Sequence, residues 1–140
     1  FQLMSAGTGV THSEYNPSTT DTLEFLQIWI QPDVLGIEPG YQQKRFEPRP
    51  GLQLIASPDA REESLRIHQD ASLFQLLLQP GETASYLLAP GRTAYLHVVS
   101  GSLRVNGEAL AEGDGATISE VDEIDFTAQA RSEALLFDLP

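Results

Sequence analysis

The stretch Tyr95-Leu96-His97-Val98-Val99-Ser100-Gly101-Ser102-Leu103-Arg104-Val105-Asn106-Gly107 decides the fold. Ala94–Val99 and Leu103–Val105 read as two strands, and Gly101 between them bends the chain. Asn106-Gly107 is the strongest turn signal in the protein, because a two-residue type I′ turn needs positive φ at both central positions. Downstream, Glu112-Gly113-Asp114-Gly115-Ala116 turns the next corner. The succession of strand, glycine, strand, turn and Gly-Asp describes a hairpin running into a jelly roll.

The same rhythm extends in both directions. Strands are expected at Leu52–Ser57, Ser64–Gln69, Ser72–Gln79, Ala84–Leu88, Ala116–Ser119, Glu123–Ala128 and Ala134–Asp138. Pro58-Asp59, Gln69-Asp70, Pro80-Gly81 and Pro90-Gly91 supply turns between them. Many short strands at even spacing argue for a β-sandwich or small barrel. No segment beyond Gly51 has a helical period, although Arg61–Ser64 has the composition of a single turn. Upstream, Phe1–Met4 reads as a strand. Thr22–Gln31 (TLEFLQIWIQ) reads as another, with Leu23, Phe25 and Trp29 on one face and Leu26, Ile28 and Ile30 on the other. Apolar groups on both faces imply a strand covered on both sides, so Phe25 and Trp29 are expected in a core or at a seam between barrels. The stretch from Pro32 to Gly51, punctuated by proline and glycine, reads as a linker.

Composition narrows the function classes. The 140 residues, 41% hydrophobic and 20% charged, suit a globular fold with one full core. Eight Lys and Arg against twenty Asp and Glu give a formal charge of −12, which disfavours nucleic acid and anionic membrane surfaces. There are no cysteines, so disulfides, thiolate metal sites and cysteine nucleophiles are excluded. No run approaches a membrane span and no secretory signal is visible, so cytoplasmic localisation is the default expectation. Because Phe1 stands inside a strand, the chain is expected to be cut from something longer, with processing or tag removal as the other routes to such an end.

Chemistry concentrates in Met4-Ser5-Ala6-Gly7-Thr8-Gly9-Val10-Thr11-His12-Ser13-Glu14-Tyr15-Asn16. The glycines allow a tight path. On an extended chain His12 and Glu14 would then share a face, with Cα atoms roughly 7 Å apart. An imidazole and a carboxylate so placed can bind one metal ion or act as a base and its orienter. The competing reading is an exposed surface pair. Gly7-Thr8-Gly9 is no dinucleotide loop, since His12 replaces the third glycine and no helical pattern follows. Asn16-Pro17-Ser18 is no glycosylation acceptor, because proline holds the middle position. His68 and His97 lie in apolar strands and are expected to be buried and hydrogen-bonded. Glu120-Val121-Asp122-Glu123 reads as a solvated turn, and Ser5 and Ser13 lack the context of a nucleophile.

With these residues in view, the second unit resembles a cupin barrel. Ala94 then stands where a cupin glutamate ligand would be, with Leu88 and Pro90 near the two histidine positions, and none of the three can bind a metal. Gly7–Asn16 is similar to the closing motif of an earlier cupin. The match extends through Gln2–Asn16, Leu26-Gln27-Ile28-Trp29-Ile30, Tyr41-Gln42-Gln43-Lys44-Arg45-Phe46, Ile67–Ala71, Leu88–Arg92 and Leu135–Pro140. Over nearly its whole length the chain resembles the pirin family, whose nearest members are bicupins with quercetin 2,3-dioxygenase-like activity. That resemblance implies one divalent metal in the first barrel, held by three histidines and a glutamate. His12 would be the third histidine, and Glu14 both the carboxylate ligand and the catalytic base. Fe(II) suits such mixed ligation, with Cu, Ni, Co, Mn and Zn as alternatives.

The expectation is therefore an all-β cupin protein. It comprises the closing strands of a first, metal-binding barrel (1–31), a linker (32–51) and a complete, metal-free second barrel (52–140). The resemblance implies a bicupin parent that is an oxygenase acting on a flavonol or other phenolic small molecule with O₂. The 140 residues alone are expected to bind metal weakly or not at all and to be inactive. Two alternatives stay open: a non-enzymatic pirin-type regulator with a redox-sensing metal, and a scaffold that pairs as a homodimer through its incomplete first barrel.

Overall fold

In the computed structural model, which describes all 140 residues from Phe1 to Pro140, the segment Glu123–Ala128 buries Ile124, Phe126 and Ala128 and exposes the residues between them. This period of two is what a strand needs when one face meets a core and the other meets water. Nine further strands build the second unit: β3 (Gly51–Ser57), β4 (Leu65–Arg66), β5 (Ser72–Leu78), β6 (Thr83–Leu87), β7 (Thr93–Ser100), β8 (Ser102–Val105), β9 (Glu108–Ala111), β10 (Gly115–Ile118) and β12 (Ser132–Leu139), with Glu123–Ala128 as β11. They form a six-stranded sheet in the order β10-β7-β12-β5-β3-β4 and a four-stranded sheet in the order β6-β11-β8-β9. All pairings are antiparallel except β3 with β4. The fold is an all-β cupin.

Leu96, Val98 and Leu136 from the larger sheet meet Leu103, Ile124 and Phe126 from the smaller one, and all six are fully buried. Each such side chain contributes roughly 1.5–3 kcal/mol of burial free energy. The turns follow their residues. Asn106 and Gly107 both have positive φ, at 48° and 88°, and join β8 to β9 as a type I′ hairpin requires. Gly101, at φ +82°, sits so close to the Arg131 carbonyl and to Ser132 that no side chain could be fitted there.

The six-stranded sheet is apolar on both faces. Along β12, Ala134 and Leu136 join the interior cluster, while Leu135 and Phe137 join a second one with Ile55, Ala56, Leu65 and Leu73. Leu3, Ile30 and Phe46 from the first part of the chain pack over this outer cluster. There β1 (Gln2–Ser5) and β2 (Gly40–Gln43) form an antiparallel ribbon. The Gln42 side chain docks that ribbon on the edge strand β4, donating to the Arg66 carbonyl at 2.9 Å and accepting from the Arg66 amide at 3.0 Å. In this way a side-chain amide continues the ladder past a sheet edge.

Three expectations need correcting. Thr22–Gln31 forms no strand and is not covered: Leu23, Phe25, Leu26, Ile28 and Trp29 are exposed, Trp29 at 87%. Its β-branched and aromatic composition suits a strand, yet it has no ladder partner in these 140 residues. The stretch 32–51, read as a linker without regular structure, contains one short strand, β2. His68 and His97 are only half-buried, and neither imidazole takes part in a hydrogen bond. Arg61–Glu63 forms one 3-10 turn, and Glu108–Ala111 is a strand where only a turn signal preceded it.

Candidate functional site

The glycine turn expected ahead of His12 is present. The Gly9 amide donates to the Ala6 carbonyl at 2.8 Å, and Gly7 and Gly9 have φ of +51° and +134°. A Cβ at Gly7 would run into the Ile37 carbonyl and stand 2.9 Å from the Pro39 nitrogen, so this position admits only glycine. The turn is thereby pressed against the approach to β2. Beyond it, residues 10–17 follow an irregular exposed path rather than a strand. Extended-strand geometry therefore does not set the His12–Glu14 relationship.

His12 and Glu14 are both exposed on this segment. One Glu14 carboxylate oxygen accepts from the Gln2 side-chain amide at 2.5 Å, tying the loop back to β1 and leaving the other oxygen open. Asn16 closes the segment. Its side-chain oxygen accepts from the Ser18 amide at 3.0 Å, and its amide nitrogen donates to the Asp21 carbonyl at 2.7 Å. This asparagine therefore shapes the loop. No three His, Cys, Asp or Glu side chains are grouped to share a metal ion. An imidazole with a half-free carboxylate suits a divalent ion as part of a donor set, but stable sites need three or four protein ligands. These residues alone do not complete one.

The corresponding positions of the second barrel carry no ligand chemistry: Ala94 and Leu88 are buried and Pro90 is exposed. A polar cluster that the sequence did not disclose lies beside them. Asp138 on β12 lies opposite Ala94 in the ladder, accepts from Arg92 Nε at 2.5 Å and accepts from the Tyr86 hydroxyl at 2.6 Å. Burial, then the hydrogen bond to Asp138 and its charge, holds the Tyr86 phenol well above the usual tyrosine range. Burial alone would lower the Arg92 guanidinium, but the bonds to Asp138 and Asp70 outweigh it and the net shift is upward. An open cleft of about 410 Å³, lined in part by Arg49, Glu82, Arg131 and Glu133, is bordered by neither His12 nor Glu14. No helix is long and apolar enough to cross a membrane.

Residues 54–139 match the family model described as the quercetinase C-terminal cupin domain, and residues 1–30 match the model described as Pirin. Quercetin 2,3-dioxygenase of Escherichia coli strain K12 is 46% identical over 140 residues, which are 100% of this chain and 61% of that protein. The crystal structure of YhhW from Escherichia coli superposes with a TM-score of 0.95 at 46% identity, covering 99% of this chain and 59% of that one. The structure of the bacterial pirin YhhW in complex with nickel(II) gives 0.94 at the same identity, over 99% of this chain and 60% of that one. The chain thus spans about three fifths of the length of these relatives.

Proposed function

The chain belongs to the pirin family, with residues 54–139 forming a quercetinase C-terminal cupin domain, and on that premise we propose that it is part of a metal-dependent dioxygenase acting on quercetin-like flavonols. Residues 1–31 are then the closing part of a first, metal-holding cupin, 32–51 the connection, and 52–140 a metal-free second cupin. His12 and Glu14 are two of the metal ligands. A divalent ion bound there supplies Lewis acidity at the flavonol oxygens. Glu14, anchored by Gln2 through one oxygen, would take the proton of the flavonol 3-hydroxyl as ligand or, displaced from the ion, as free base. Nickel is bound in a related pirin structure, and Fe(II) also suits the donors. The cytoplasm is the compartment that goes with this reading.

One observation carries the proposal: His12-Ser13-Glu14 follows a glycine-only turn within residues matched to the pirin model, with its carboxylate already oriented. The test is flavonol-dependent O₂ uptake by the protein made from its full reading frame, with Glu14→Gln and His12→Ala beside the wild type. Full activity in both variants would sink the assignment.

A second reading draws on the exposed apolar residues from Tyr15 to Leu35, of which Tyr15, Trp29 and Leu35 are more than four-fifths exposed. Such a surface suits an interaction module, either a pirin-type regulator with a redox-sensing metal or a homodimer through the first-barrel segment. A metal-bound protein that binds no phenol yet changes partner affinity with metal oxidation state would favour the regulator.

A further inference from the structure

All three nitrogens of Arg92 donate hydrogen bonds. Nε donates to Asp138 Oδ1 at 2.5 Å. Nη1 donates to both oxygens of Asp70 at 3.1 and 3.0 Å, and Nη2 donates to the Asp70 and Asp138 carbonyls at 3.2 and 3.3 Å. The Tyr86 hydroxyl takes the second oxygen of Asp138 at 2.6 Å, and the Tyr86 ring packs against Phe74 with centroids 5.0 Å apart. Asp138 and Phe74 belong to the six-stranded sheet and Tyr86 to the four-stranded one.

That last fact gives the cluster its role. β6 is the edge of its sheet and has a backbone ladder only with β11, so no backbone ladder ties this edge to the other sheet. Side chains must close the seam. Arg92 lies in the short connection from β6 to β7, and Asp70 just ahead of β5. Arg61 stands behind the cluster, donating to Ser72 at 3.1 Å, and Ser72 lies opposite Asp138 in the ladder. The Arg92 side chain is 21% exposed and that of Asp138 12% exposed, so their pairing is screened far less than a surface ion pair.

We propose that Arg92 is the clasp that closes the second barrel: at the turn from β6 to β7 a fixed guanidinium gathers Asp138 and Asp70 on the six-stranded side, and Asp138 so held takes the Tyr86 hydroxyl of the opposite sheet. A planar guanidinium does this because its five donors point in fixed directions, where an ammonium offers one compact charge. The barrel therefore closes without an ion at this position. In its metal independence the inference rests on reading 52–140 as metal-free; the clasp itself rests on the Arg92 geometry.

The test is amide hydrogen exchange of β6 and Leu88, referenced to β8, in the wild type, Arg92→Met, Arg92→Lys, Asp138→Asn and the Arg92→Met/Asp138→Asn double variant, with the wild type also measured in excess EDTA. Arg92→Met is expected to speed β6 exchange about tenfold while β8 changes little. The double variant should add little to either single change, since both break one unit. Arg92→Lys should fall between wild type and Arg92→Met, and it carries the test if Arg92→Met does not fold. EDTA should leave the wild type unchanged. β6 exchange in Arg92→Met, or in Arg92→Lys, equal to wild type would overturn the clasp. Loosening of wild-type β6 by EDTA would instead overturn the metal independence and leave the clasp standing.

Discussion

The side-chain amide of Gln2 donates to the Glu14 carboxylate at 2.5 Å across twelve residues of chain, so the first strand holds the proposed metal carboxylate in place. Groups that orient a ligand typically govern affinity by a factor of about 10 to 100. In the protein made from its full reading frame, Gln2→Ala is expected to weaken nickel(II) binding about tenfold. Glu14→Gln and His12→Ala should each weaken it more than Gln2→Ala does, as losses of ligands themselves. Isothermal titration calorimetry measures all three. Unchanged affinity in Glu14→Gln would remove this residue from the site.

The Tyr86 phenol gives a pH prediction. Its folded value is raised, by burial first and by Asp138 second. A group raised on folding adds stability that is fully present below its unfolded value and lost as pH climbs toward the folded one. The unfolded value is about 10. Thermal stability should therefore hold through neutral pH as far as Tyr86 is concerned and fall above about pH 10. Tyr86→Phe should flatten that alkaline fall. Melting curves from pH 8 to 11.5 test this, and an identical decline in both proteins would contradict it.

Much of the fold is legible in the sequence because turns and period-two strands are local properties. Asn106-Gly107 marks a corner that those residue types favour, Gly101 one that only glycine can take, and Glu123–Ala128 alternates visibly. The failures come from non-local requirements. Thr22–Gln31 has strand composition, but a strand exists only beside a partner, and composition cannot supply one. Glu108–Ala111 is rich in alanine and glutamate, and is a strand because the hairpin lays it against β8. Spacing singles out His12 and Glu14, but the strand on which that spacing would place them on one face does not form; the Gln2 anchor and Arg92 as a hub are not legible, since these contacts join segments far apart in sequence.

Two glycines separate conformational cost from steric cost. Gly107→Ala meets open space but must keep φ near +88°, which costs about 1 kcal/mol. Gly101→Ala adds a collision with the Arg131 carbonyl and with Ser132, and is expected to cost about 3 kcal/mol or more. Urea denaturation of both variants checks the ordering. A Gly101→Ala cost no greater than that of Gly107→Ala would contradict the packing described at that corner.

Trp29 is the single tryptophan and is 87% exposed beside Phe25, Leu26 and Ile28. If this face pairs with a second copy, raising the concentration should move the emission to shorter wavelength as light scattering reports a dimer. Leu35→Ser should shift the transition to higher concentration. A monomer at every concentration, with unshifted emission, would exclude self-association through this face.

The most direct measurement compares O₂ uptake with quercetin for the 140-residue chain and for the protein made from its full reading frame, each given one equivalent of nickel(II). The account predicts sustained uptake matched to flavonol loss in the second and none above the metal-only control in the first. Turnover by the 140 residues alone, or none by the protein from the full reading frame, would contradict it.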